Sequence, residues 1–268
     1  MKKSNIQLTT AQFAKLHEVN KRTLHYYDDI GLFSPNTKKE NGYRVYDLSQ
    51  SLEFEYIRML KDLSMSIEEI EAYYKNPTSD NFLKIADSKT KEIDEQIKKL
   101  KTIKKILNVK KENLIFCENI QDQDIRVEQH LAENILILPY DFLENDLSEI
   151  FAYLKDTWSI QQIRMGIGGF IALEKVINEN FEDYDGLYTP ALSGPSSANK
   201  RIKAKGRYLC GYQRGTWDKL PWLYKKMINY AEQTDLVLTG YAYEIGLNEF
   251  AISEPTDYVT KIMIKIKD

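Results

Sequence analysis

Between residues 21 and 46 the chain collects side chains suited to holding a nucleic acid. Lys21 and Arg22 can neutralise phosphates, His25 can hydrogen-bond a base edge, and Tyr26 and Tyr27 can lie against a backbone. Tyr43 and Arg44 follow in GYRVY at 42–46, and Lys61 adds a cation further on. The bland alternative is a small helical domain with both tyrosines in its core, the usual place for such a pair on an amphipathic helix. A second chemistry-bearing group is Glu244, in GYAYEIGL at 240–247. Strand alternation sets it with Ala242 and Gly246 and opposite Tyr243 and Ile245. A buried carboxylate is costly unless a cation pairs with it. From the residues alone, Glu244 is a surface residue, an ion-pair partner of a group such as Lys261, or an inward-facing group that needs a partner.

The elements that position the first group read as two short helices and a hairpin. Thr9 or Thr10 can cap a helix with Phe13, Ala14 and Leu16 on one side, and His17 to Asn20 form a polar turn. Asn20 caps a second helix that carries Lys21 to Tyr27, turns Leu24 inward and ends at Gly31. This is the order of a helix-turn-helix, whose second helix enters the major groove. Lys38, Lys39, Asn41, Gly42, Tyr43 and Arg44 then form a wing, with Asn-Gly suited to the hairpin turn.

HYYDDIGLF at 25–33, NGYRVY at 41–46 and LEFEYIRMLKDLSMSIEEI at 52–70 together resemble the DNA-binding domain of the MerR family of transcription regulators. The resemblance covers about the first 75 residues. It implies that Lys21, Arg22 and His25 are recognition-helix positions, that Tyr26 and Tyr27 face the promoter, that Tyr43 and Arg44 make wing contacts, and that Lys61 meets a phosphate. His25 stands where many relatives have Arg, and a neutral imidazole makes a weaker, pH-sensitive contact.

Composition bounds the rest. The 268 residues suffice for two modest domains and a connector. The net charge of -3 does not advertise nucleic acid, but residues 1–61 hold ten Lys and Arg against seven acids, whereas 62–75 hold one against four. No apolar run suits a membrane span or a signal segment, so a cytoplasmic protein with no membrane partner is expected, and the MerR resemblance implies a bacterial, nucleoid-associated one. Cys117 and Cys210 lack paired spacing, which argues for incidental thiols, no metal and no cofactor. His17 and His130 suggest ordinary polar or capping roles.

Residues 79–114 contain no Gly or Pro, and Ile93, Leu100, Leu107 and Leu114 recur every seven positions, with Ile97 and Ile103 beside them. This is a long helix with a narrow apolar seam. It either lies on its own C-terminal domain or pairs with a second helix; the MerR resemblance implies an antiparallel coiled coil and a homodimer on a pseudo-palindromic site. Asn76-Pro77 marks the joint before it.

From about residue 119 the texture is α+β. NILILP (134–139), QIRMGIGGF (162–170), RYLCGYQRG (207–215), LTGYAYEIGL (238–247) and YVTKIMIKI (258–266) read as strands, and DLSEIFAYLKDTW and LPWLYKKMINYAEQT as helices. The region 205–268 resembles the gyrase-inhibitor-like effector-binding domain of multidrug-sensing MerR regulators; 119–200 resembles it thinly. That resemblance implies that Glu244 lies at the bottom of an aromatic pocket for lipophilic cations. Tyr153, Trp158, Tyr184, Tyr188, Tyr208, Tyr212, Tyr224, Tyr241 and Tyr258 are candidates for its lining. Tyr258 matches the family's last-strand tyrosine, and Tyr212 lies on the strand expected beside the pocket; Tyr153, Tyr188 and Tyr208 complete the favoured set. The stretch 188–207, rich in Pro, Gly and Ser, reads as a loop bordering the pocket or a surface insertion.

The expected organisation is a winged helix-turn-helix domain at 1–77, a coiled-coil dimerisation helix at 78–116 and an α+β effector domain at 117–268. The expected function is a non-enzymatic activator that binds double-stranded promoter DNA. When liganded it distorts an over-long spacer for RNA polymerase holoenzyme, at multidrug-resistance or efflux genes. Two alternatives stay open: a drug-binding repressor or sequestering protein, and a small-molecule hydrolase with Glu244 as general base.

Overall fold

The computed structural model describes residues 6–139, 147–192 and 200–267, with the backbone alone at 147–149. The chain divides into two compact units, Met1–Gln96 and Ile97–Asp268. No helix of the described residues is long and apolar enough to cross a membrane.

The first unit runs β1 (Gln7–Thr9), α1 (Thr10–Leu16), α2 (Lys21–Asp29), β2 (Thr37–Lys38), β3 (Arg44–Asp47), α3 (Ser51–Asp62) and α4 (Ile67–Lys75), followed by α5 (Ser79–Asn119), which continues into the second unit. Its helix starts follow local chemistry. Thr9 forms a capping box with Gln12, Asn20 accepts from the Arg22 amide, and Ser66 forms a second box with Glu69. After α2, Gly31 takes φ +77, a backbone state that costs glycine little. The hairpin pairs β2 with β3 across a turn in which Gly42 takes φ +78. The sequence did not signal β1, which pairs on the other side of β3 and makes a three-stranded sheet. Phe13, Leu24, Tyr27, Phe33, Tyr46 and Phe54 are central to the core. His17 is buried beside Phe13 and Phe54, its ring nitrogens meeting Glu55 and Ser51.

The second unit is an eight-stranded antiparallel sheet in the order β4-β9-β11-β10-β6-β7-β5-β8. After α5 come β4 (Ile125–His130), β5 (Glu133–Leu138), α6 (Leu147–Thr157), α7 (Ile160–Arg164), β6 (Gly168–Ala172), α8 (Leu173–Ile177) and β7 (Gly186–Pro190). The chain closes with β8 (Lys200–Lys203), β9 (Gly206–Arg214), α9 (Leu220–Gln233), β10 (Leu238–Gly246) and β11 (Val259–Ile266). Both faces of the sheet are covered. On one, α9 sets Leu220, Leu223, Tyr224, Met227 and Ala231 against Leu209, Ala242, Ile262 and Ile264. On the other, Cys117 and Ile120 pack on Tyr208, Cys210, Tyr212 and Met263.

Two expectations for this unit are corrected. QIRMGIGGF is not one strand: Ser159 caps α7 by accepting from the Gln162 amide, Gly166 at φ +115 ends the turn, and β6 begins only at Gly168. Nor is 188–207 a single loop, because β7 and β8 occupy its two ends as sheet strands; 193–199 lies outside the described residues.

Candidate functional site

Two groups of side chains carry chemistry, one in each unit. In the first unit α2 begins with Lys21 and Arg22, both exposed on its first turn. Tyr26 is 51% exposed on the same helix, and Tyr43 is 67% exposed beyond the wing turn. These four point outward and can meet a polyanion.

The other four expected DNA-facing residues are partly or wholly committed inside the unit. Tyr27 is buried, with its ring toward Phe54. Arg44 places Nε on Asp28 Oδ2 (2.5 Å), one terminal nitrogen on Asp29 Oδ1 (2.7 Å) and the other on His25 Nδ1 (2.7 Å). The Lys38 ammonium joins Asp28 at 2.8 Å. Burial opposes the charge on Asp28, but hydrogen bonds from Lys38, Arg44 and Ser34 prevail and hold its pKa at about 2. Lys61 donates to the Met65 carbonyl at 2.8 Å, bracing the turn after α3, where Ser64 takes φ +58. Arg44 and Lys61 thus carry intramolecular bonds with which a phosphate contact would compete.

In the second unit Glu244 lies on β10, between Ile262 of β11 and Gly169 of β6. It is 6% exposed. The Tyr184 hydroxyl donates to Oε2 at 2.7 Å and the Tyr224 hydroxyl to Oε1 at 2.6 Å. Among the described residues it has no salt-bridge partner. Burial, the dominant influence, lifts its carboxyl to about 7, against the pull of the two phenolic hydrogen bonds. The same burial, together with the charge of Glu244, raises both phenols.

Aromatic rings and glycines shape the space around it. Tyr224 stacks on Phe181 with centroids 5.3 Å apart. The Tyr184 ring lies over Gly169, where a Cβ would come within 2.6 Å of it. Beside Gly246, a Cβ would collide with the Tyr258 hydroxyl. Tyr258 meets Trp217 edge-on at 6.0 Å, and the two border a cleft of about 420 Å³ with Thr216, Ile252 and Pro255. Glu244, Tyr184 and Tyr224 do not line this cleft; Tyr258 alone joins it to the carboxylate's side of the sheet, where a buried carboxylate among phenols suits an organic cation.

Four favoured tyrosines are not there. Tyr212 is paired with Lys261, one position out of phase with the Ile262–Glu244 pair, and so points to the opposite face. There it donates to Glu128, which also receives Lys261 at 2.7 Å. Lys261 is therefore no partner of Glu244. Tyr208 donates to the Ala204 carbonyl on that face. Tyr188 is fully buried with Ile135, Ile137 and Phe170, and its hydroxyl lacks a partner among the described residues. Tyr153 is an exposed residue of α6. Of the favoured set only Tyr258 adjoins the Glu244 region, and the residues that hold the carboxylate are Tyr184 and Tyr224. Tyr224 was legible as the centre of the Leu220, Leu223, Tyr224, Met227 stripe; Tyr184 sits in irregular chain with no such signal.

On that opposite face Glu128, His130 and Cys210 bring ligand atoms within 4.8 Å of one another. Lys261 occupies the same Glu128 oxygen that faces His130, so an added dication would meet an ammonium at its carboxylate. Glu128 is held well below the usual carboxylate range: burial opposes this, but His130, Lys261 and Tyr212 outweigh it. His130 Nε2 faces both Cys210 and Glu128, whereas a nucleophilic relay needs them on opposite ring nitrogens. Burial also pushes the Cys210 thiol up to about 12.

Comparison with known proteins adds an independent line. Residues 8–76 match the family described as "MerR HTH family regulatory protein". The chain is 31% identical over 268 residues to the multidrug-efflux transporter 2 regulator of Bacillus subtilis (strain 168), covering 97% of this chain and 96% of that protein. It is 20% identical over 286 residues to the multidrug-efflux transporter 1 regulator of the same organism, covering 96% and 97%. A solved structure, the EcmrR–DNA complex in EcmrR-RPo, aligns at 19% identity and TM-score 0.42 over 97% of this chain and 100% of that one.

Proposed function

The chain belongs to the MerR family of helix-turn-helix transcription regulators, and we propose that its effector is a lipophilic organic cation bound at Glu244. The observation that carries this reading is a 6%-exposed carboxylate that, among the described residues, is held by two phenols and no cation. A cation with delocalised charge supplies the missing counter-charge and gains from the Tyr184, Tyr224 and Tyr258 rings. Homology to regulators named for multidrug-efflux transporters supports a regulated exporter gene.

On this reading the DNA-binding part is residues 1–77, with Lys21, Arg22, Tyr26 and Tyr43 toward the duplex and His25 beside them. Residues 78–116 pair two subunits through the seam of α5, and 117–268 bind the effector. The liganded homodimer distorts an over-long promoter spacer so that RNA polymerase can engage both recognition elements. Such a switch stores its work in DNA deformation, so the effector need change operator affinity little.

The test is a titration with tetraphenylphosphonium, followed by the fluorescence of Trp217 beside Tyr258. Saturable binding that weakens at least tenfold, about 1.4 kcal/mol, in Glu244→Gln is the expected result. Equal binding by both proteins, or none by either, would remove Glu244 as counter-ion.

A further inference from the structure

We propose that Arg44 fixes the tautomer of His25, so that His25 presents one N–H donor to the major groove and selects a base with an acceptor edge. This rests on the DNA-binding reading of the first unit. His25, Asp28 and Asp29 stand on one side of α2, at the i, i+3 and i+4 spacing that brings side chains together. Arg44 reaches across from β3 and uses every side of its guanidinium on them: Nε on Asp28, one terminal nitrogen on Asp29, the other on His25 Nδ1 at 2.7 Å.

A guanidinium only donates, so Nδ1 must accept. An imidazole that accepts at Nδ1 carries its proton on Nε2. Among the described residues His25 Nε2 has no hydrogen-bond partner, and the ring is partly exposed. The two carboxylates make this arrangement stiff, because they hold the guanidinium in place whether or not DNA is present. His25 then reads the groove as a donor of fixed direction. Guanine offers two acceptors there, thymine and adenine one each, and cytosine an amino donor that repels it. Arg44 acts as a positioning residue, and its expected DNA role passes to the imidazole it orients.

The first readout needs no DNA. Long-range 1H–15N correlation of the uniformly 15N-labelled full-length protein at pH 8 should show the His25 ring with its proton on Nε2. The signal is assigned by its absence in His25→Phe. Arg44→Met should give a mixture of both tautomers at that residue. An Nδ1–H ring in the wild type would overturn the proposal, and that result needs only the assignment variant His25→Phe, not Arg44→Met, to fold.

The second readout is selection from randomised duplexes with the full-length wild type and His25→Phe. One position per half-site should exclude cytosine in the wild type. The variant should lose that preference, on the order of tenfold, while the salt dependence of binding stays the same because no phosphate contact is removed. A wild-type consensus that His25→Phe leaves unchanged would sink the base-reading role alone. If the wild type selects no sequence at all, the DNA-binding reading falls and the base-reading role with it.

Discussion

Glu244 accepts two phenolic hydrogen bonds, yet burial, the larger influence, lifts its carboxyl from 4.5 to about 7. The folded state thus holds this proton more tightly than the unfolded chain does. Its linkage contribution is most favourable when the proton is present and falls as pH rises from about 4.5 to about 7, by roughly 3 kcal/mol in all. Urea unfolding should show Glu244→Gln more stable than the wild type at pH 8, by about 1–3 kcal/mol, and equal to it at pH 4. Cation binding should run the other way. Affinity for tetraphenylphosphonium should rise about tenfold per unit up to pH 7 and then level off, because the ligand needs the ionised form; a flat profile would count against ionisation of Glu244. A glutamate inside an aromatic strand is legible as unusual from sequence. Its partners are not: sequence favours Tyr212 over Tyr184, and only the register of β9, β10 and β11 turns Tyr212 to the opposite face, while Tyr184 crosses Gly169 to reach the carboxylate.

At the level of elements, the close packing around β6 is set by glycine. Gly169 leaves room for the Tyr184 ring to cross the strand and reach Glu244. Gly169→Ala should therefore cost about 1–3 kcal/mol by overpacking, and it should weaken cation binding more than an equally destabilising change far from the site; thermal melts and the Trp217 titration measure the two effects. In the first unit, Asn20→Ala should lower stability by about 1 kcal/mol through loss of the α2 cap. Caps of this kind are readable in sequence because a helix end depends on four or five adjacent residues. The same chemistry explains why 162–170 deceived a reading by hydropathy alone: Ser159 starts a helix that the apolar alternation then disguises. Strand β1 was invisible because three residues at an edge carry no period of their own.

Over the whole chain, the exposed seam of α5 bears on assembly. Ile93, Ile97, Leu100 and Leu107 stand 42–63% exposed along the helix, more apolar surface than an isolated helix keeps in water without a partner. On the proposed pairing through α5, the wild type should sediment as a dimer and Leu100→Glu with Leu107→Glu as a monomer with unchanged circular dichroism; a monomeric wild type, or a dimer unaltered by the change, would count against this seam. The sequence by itself determined what depends on neighbours along the chain: the helix-turn-helix and its caps, the wing turn, the unbroken α5 and strands β5, β9, β10 and β11 of the second unit. Tertiary structure alone decided which expected side chains are free to act. Arg44, Lys61 and Tyr27 are held within the first unit, and Tyr188, Tyr208 and Tyr212 are turned away from Glu244. The reason is physical. Helix and turn chemistry is local, whereas the face of a sheet and the partner of a charge are set by residues distant in sequence.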